Sequence, residues 1–267
     1  MVDENITIHS SKLPNYKNPP VNEVVCGLQF QASDNLRVPH IGLLWNKFRS
    51  EYPIIQHAPP LMSAMGDIKV DSITGIPLPR IWFINKSDDQ LVQFQIDRIY
   101  FNWRRRKREY PHYNHIINNF DKILDISRNI FNEFNLGEFK PIELELSYIN
   151  HIPRGQGWET IDDLQKLFSD FNWNKSNTRF LKNLDKIAWT TEFILPEQKG
   201  RLNINLKHAI RTEDKMPLLV FEFITKGNAQ SDRIEDIHKW FNLAHEWIVQ
   251  GFTDLTTPEI QKIWGRE

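Results

Sequence analysis

The sequence predicts an α+β fold from three observations. Several segments alternate apolar and polar residues as strands do, and two long segments carry apolar stripes at three-and-four spacing. The two kinds of segment do not alternate strictly one for one, which separates the pattern from a parallel α/β sheet. With 267 residues, 40 % apolar and 25 % charged, the chain can bury a sizeable core.

The elements follow in order. Residues 1–18 are polar and aperiodic and read as a loose leader, stopped by Pro19-Pro20, which favour an extended backbone. In Val21 to Phe30, Val24, Cys26, Leu28 and Phe30 alternate with Glu23, Val25, Gly27 and Gln29, the period of a strand. Ile41, Leu44, Trp45 and Phe48 place an amphipathic helix between Pro39 and Tyr52, closed by Pro53. Residues 53–80, with Pro53, Pro59, Pro60, Pro77 and Pro79, read as a long loop holding one short strand near Ile68 to Ile73.

A turn at Lys86-Ser87-Asp88-Asp89 joins Ile81–Asn85 to a second strand, Leu91 to Trp103, as a hairpin. On that strand Val92, Phe94, Ile96 and Tyr100 share one face, and Gln93, Gln95 and Asp97 the other. Pro111 opens a helix whose stripe includes Tyr113, Ile116, Phe120, Ile123 and Phe131, with Gly137 as its stop. Ile142, Leu144, Leu146 and Tyr148 then alternate with Glu143, Glu145 and Ser147 up to Pro153. Strand, helix, strand, strand, helix, strand is the order of a split-βαβ, ferredoxin-like unit over residues 19–153.

Residues 154–267 predict a related α+β half, sharing an antiparallel sheet with the first. Thr160 caps a short helix to Phe168, strands cover 189–195, 202–210 and 218–225, and a long helix starts at Ser231-Asp232 with Glu235 at capping-box spacing. Thr257-Pro258-Glu259 opens a short final helix.

Composition narrows function. With 33 Lys+Arg against 34 Asp+Glu the net charge is −1, so attraction to nucleic acid or an anionic membrane needs a local patch. Cys26 is the single cysteine, too few for a disulfide within the chain or a cysteine-rich zinc site, and suits a reducing cytoplasm. The N-terminal residues hold no apolar signal core and no run of about 18 apolar residues occurs, so export and membrane insertion are not expected. There is no phosphate-loop motif, GxSxG, HExxH, paired CxxC or GxGxxG. The sequence therefore calls for no cofactor and no metal, and assigns no catalytic residue.

Three constellations remain. Arg104, Arg105, Arg106, Lys107 and Arg108 follow Trp103, and a basic run beside an aromatic ring suits nucleic-acid phosphates and a stacked base. A solvated turn is the plainer reading. His112 and His115, at i and i+3, suit acid–base chemistry beside that run, yet no third group completes a site and helix-start histidines explain them as well. His238 and His245, seven apart on one helix, read as packed interface histidines.

The third constellation is a sheet face. With the first strand between those at 91–103 and 142–150, Glu23, Gln29, Gln93, Gln95, Asp97, Glu143, Glu145 and Ser147 point away from the helices as a polar, acidic surface, with Arg98 nearby. It would be solvated, or bind a partner, or contact Asn203, Asn205 and Lys207 of the second half. Three functional readings follow: a non-enzymatic adaptor holding a protein partner by this face and the segment Asp97 to Tyr113; a nucleic-acid binder, with or without cleavage, using Trp103 to Arg108 with His112 or His115; and an acid–base enzyme on a small molecule using Asp97, Glu143 and Glu145.

Several motifs carry a resemblance. Asn18-Pro19-Pro20-Val21 with Glu23-Val24-Val25, Gln95 with Asp97-Arg98 and Asn102-Trp103-Arg104, Tyr110-Pro111 with Tyr113, Tyr148 to Ile152, and Asp254 to Glu259 with Trp264-Gly265-Arg266 together span most of the chain. In these the chain resembles a sporadically distributed bacterial family of similar length. The resemblance implies no catalytic assignment, and its patchy distribution implies an accessory role such as phage defence or a toxin–antitoxin module.

Overall fold

The computed structural model describes residues 13–62, 68, 70–71, 73–173, 178, 180–182 and 184–267. The elements are β1 (Val21–Phe30), α1 (Val38–Phe48), β2 (Ile54–Ala58), β3 (Arg80–Ile84), β4 (Gln90–Gln95), β5 (Arg98–Arg104), α2 (Tyr113–Glu133) and β6 (Pro141–Pro153). Then come α3 (Leu164–Leu167), β7 (Ala188–Ile194), β8 (Gly200–Ile210), β9 (Pro217–Gly227), α4 (Ile234–Leu255) and α5 (Pro258–Ile263). Among the described residues all nine strands belong to one antiparallel sheet in the order β2-β3-β4-β5-β1-β6-β9-β8-β7. Strands from both parts of the chain are thus joined at β6 and β9, where Tyr148 faces Phe223. Among the described residues no helix is long and apolar enough to cross a membrane.

One face of the sheet is the core. Val24, Cys26, Leu28 and Phe30 are fully buried there, as the alternation requires, with Phe101, Leu146, Ile204 and Phe223 from neighbouring strands. Helices α2 and α4 cover it side by side. Phe30 meets Phe131 of α2 at 5.3 Å, Phe223 meets Phe252 of α4 at 6.0 Å, and Phe120 meets Phe241 between the helices at 5.5 Å.

The strand expected over Leu91–Trp103 is two strands. Gln95 pairs with Arg98, so Ile96 and Asp97 form a two-residue hairpin turn between β4 and β5. A turn of two residues shifts the inward parity, from Val92 and Phe94 to Ile99, Phe101 and Trp103, and puts Tyr100 on the polar face instead. β2, bounded by Pro53 and Pro59, was hidden in the proline-rich stretch. Of the strand expected near Ile68 to Ile73, residues 69 and 72 lie outside the described residues, and Val70 makes a single bridge to Pro77. Asn135 (φ 50) is the first left-handed residue after α2, and Gly137 (φ 99), the expected stop, also takes a positive φ two positions on. At the start of α4, Asp236 rather than the Asp232/Glu235 pair does the fastening, accepting from Ser231 Oγ at 2.6 Å.

Of the expected leader, residues 1–12 lie outside the described residues, whereas Asn15 to Asn18 run along the C-terminus. Lys17 N donates to Gly265 O at 3.1 Å, Asn18 N to Trp264 O at 3.0 Å, and Glu267 N to Asn15 O at 2.9 Å. Tyr16 is buried and bonds Thr253 of α4 at 2.9 Å. This strap forms one wall of the site described next.

Candidate functional site

Between the strap, the start of α2, strands β6 and β9, and the second half of α4 lies a cavity of about 500 Å3. Its volume is within the roughly 300–1,000 Å3 usual for small-molecule sites. The polar heart is a chain of three groups. Tyr110 Oη lies 2.8 Å from Tyr148 Oη, which lies 3.2 Å from His245 Nδ1. The imidazole of His245 stacks flat on Tyr113, centroids 3.9 Å apart and planes 6° apart, and Tyr113 Oη donates to Asn242 Oδ1 at 3.0 Å.

Local structure fixes each member. Tyr148 sits on the inward face of β6, where a phenol replaces an aliphatic residue, and His245 on the inward stripe of α4. Tyr110 packs edge-on against the core residue Trp103 at 5.6 Å. Between Tyr110 and Tyr113 the chain turns sharply at Pro111-His112. His112 holds φ 63 with ψ 158, a region that side chains other than glycine avoid and that costs on the order of 1–3 kcal/mol. That kink brings both tyrosines to one cavity, with His112 itself in the lining.

Burial governs the electrostatics. It lowers His245 to about 4, so the imidazole is neutral at neutral pH. Burial also pushes the phenols of Tyr110, Tyr148 and Tyr113 well above their usual value, and the Cys26 thiol likewise. These groups offer neutral hydrogen bonds, not a phenolate, a thiolate or an imidazolium. Among the described residues no three His, Cys, Asp or Glu side chains converge on a metal-sized centre.

The sequence candidates lie elsewhere, save His112. Asp97 and Arg98 form a buried two-bond pair, Nε to Oδ1 and Nη2 to Oδ2, each 2.9 Å. Gln95 bonds both Asp97 and the backbone of Leu61, so Leu61 covers that part of the sheet. Asn102 joins Gln93 (2.6 Å) to Glu23 (2.6 Å), and burial raises the Glu23 carboxyl despite its bond to Asn102. Glu145 and Glu143 lie 3.2 and 3.6 Å from Lys226. The face expected to be acidic is therefore charge-balanced, because cations of β5 and β9 share it, and the cavity is not lined by Asp97, Glu143 or Glu145.

The basic run is mostly spent within the chain. Arg104 and Arg106 grip Asp88 at 2.5 and 2.8 Å, Arg108 lies 3.6 Å from Asp89, and Arg105 donates to the carbonyls of Val21 and Pro19. Trp103, expected beside the arginines as a stacking ring, is 2 % exposed and belongs to the core. His115 points to Asn119 on the outside of α2, and His238 pairs with Asp121 at 2.7 Å across the α2–α4 interface. Tyr110, Tyr113, Tyr148 and His245 were missed as a site. Their signal was polar atoms on otherwise apolar stripes.

Fold and cavity together define an α+β protein with one antiparallel sheet and an aromatic pocket under two helices, with Glu246 as its one carboxylate among the described residues. No protein-family model matches the chain, and no curated protein matches it.

Proposed function

We propose that the chain is a non-enzymatic binding protein whose site is the cavity between α2 and α4. The observation that carries this reading is the Tyr110–Tyr148–His245 chain: a continuous hydrogen-bonded array facing about 500 Å3 of open space, built of groups that burial keeps neutral. Such groups recognise a ligand well and catalyse poorly, since a general base or nucleophile needs a proton affinity matched to neutral pH.

The segments behind the family resemblance support the same place. Pro19, Tyr110 to Tyr113, and Tyr148 with Asn150 contribute to the cavity wall, and Trp264-Gly265 fasten the strap. Membership of that sporadic bacterial family, with an accessory role in its hosts, belongs to this proposal. So does a finer description of the fold: β1, α1, β4, β5, α2 and β6, with strands side by side as β4-β5-β1-β6, make a split-βαβ unit to which β2 and β3 add an edge.

The test is to purify the protein gently from its host and analyse the small molecules released on denaturation. One compound should be enriched at near-equal stoichiometry and lost from a Val249→Trp variant that fills the cavity. Identical profiles from the two proteins would reject the reading.

An adaptor role toward a protein partner stands as the second reading. It is favoured by β7, whose outer edge pairs with no other strand among the described residues and which exposes Phe193 and Ile194. Phe193→Lys should then release a stoichiometric partner that co-purifies with the native chain. Retention of that partner would reject this edge as its seat.

A further inference from the structure

We infer that the ligand of the cavity is an uncharged, flat heterocycle with adjacent hydrogen-bond donor and acceptor groups, such as the edge of a nucleobase or nucleoside. This rests on the reading of the cavity as a ligand site and adds the chemical class that fits it.

Charge argues against an anion. Among the described residues the lining contains no lysine or arginine, and Glu246 is its one carboxylate. A phosphate or sulfate entering such a wall would give up water and gain no counter-charge. A cation would find Glu246 and the aromatic faces but would leave the paired donors and acceptors of the wall unmatched, and choline serves below as the probe for that competing class.

Hydrogen-bonding capacity then selects within the uncharged ligands. His112, Asn114, Asn242 and His245 each carry a donor and an acceptor in one planar group. The Nε2 atom of His245 takes whichever role the tautomer leaves it, since Tyr148 Oη can donate to Nδ1 or accept from it. Groups of this kind match an edge where a ring N–H adjoins a carbonyl or ring nitrogen. His112, Asn114 and Asn242 are exposed at the mouth and His245 is half-buried, so a plain alkyl chain would match none of these polar groups and gain no hydrogen bond from them.

Shape agrees, for the walls are rings: Tyr110, Tyr113, Tyr148 and Phe223 border the space, and flat aromatic surfaces accept a flat guest by stacking. His112 adds an independent pointer. Glycine would suit φ 63 and ψ 158 better, yet an imidazole stands there at the cavity, unused by any helix-capping bond. The geometry assigns it to the ligand.

Isothermal titration of the full chain tests the class with uridine, adenosine, their 5′-monophosphates, choline and 1-hexanol as probes. A nucleoside should bind one to one, its monophosphate at least tenfold more weakly, and choline and hexanol without measurable heat. Tyr148→Phe and His112→Gly should each weaken the nucleoside at least tenfold, while His112→Gly melts no lower than the parent. A monophosphate binding as tightly as its nucleoside, or choline or hexanol binding in its place, overturns the ligand class and leaves the cavity as a site. Silence from all six probes overturns the class too, and if small fragments soaked into crystals also fail to enter, the underlying reading falls with it.

Discussion

His245 shows how far one residue's environment sets its chemistry. Its folded value of about 4 lies below the unfolded one, so the unfolded chain takes up the proton first. Stability is then complete above about pH 6.5 and falls as pH drops toward 4, by on the order of 3 kcal/mol. His151, also lowered by burial, adds to the same slope. Urea midpoints at pH 4.5 and 7 should differ less in His245→Asn than in the parent; equal differences would contradict a buried neutral imidazole. Asp97 makes the opposite case, a conspicuous carboxylate that the fold buries in an ion pair. Its buried pair with Arg98 closes the β4–β5 turn, so Asp97→Ala should cost about 3–5 kcal/mol by leaving a buried guanidinium without its partner. Denaturant unfolding measures this directly, and a loss under 1 kcal/mol would return Asp97 to the list of surface groups.

Elements were legible wherever one period ran unbroken. β1, α1, α2 and α4 each present a clean stripe, and their bounds lie close to those read from the residues. The reading failed where a turn had no punctuation. Ile96-Asp97 contains neither glycine nor proline, and the parity change from Phe94 to Ile99 was the remaining sign of it. Gly27, in the centre of β1, was also opaque: a Cβ there would stand 2.1 Å from Tyr100 Cε1, whose ring lies across the glycine toward Glu145 of β6. Gly27→Ala should therefore destabilise by about 1–3 kcal/mol. Combining it with Tyr100→Ala should recover part of that loss relative to simple addition, which a double-mutant cycle in urea reads out. Strict additivity would mean that the ring gives way freely.

At the scale of the whole molecule, one sheet unites strands from both ends of the sequence, and long-range contacts, not local pattern, create the site. The cavity takes its walls from residues near 16, 110, 148 and 245, which no spacing rule brings together. The basic run and the polar face were conspicuous because charges stand out in a sequence, but folding pairs most of them with one another. A site made of phenols, amides and the neutral imidazole of His245 gives no such signal. The most direct test of the cavity as the functional site is a crystallographic soak with small uncharged ring fragments. The account predicts fragment density between α2 and α4, within hydrogen-bond distance of Tyr148 Oη or His245 Nε2. Crystals whose cavity is closed by the chain's own side chains, with fragments bound elsewhere, would contradict it.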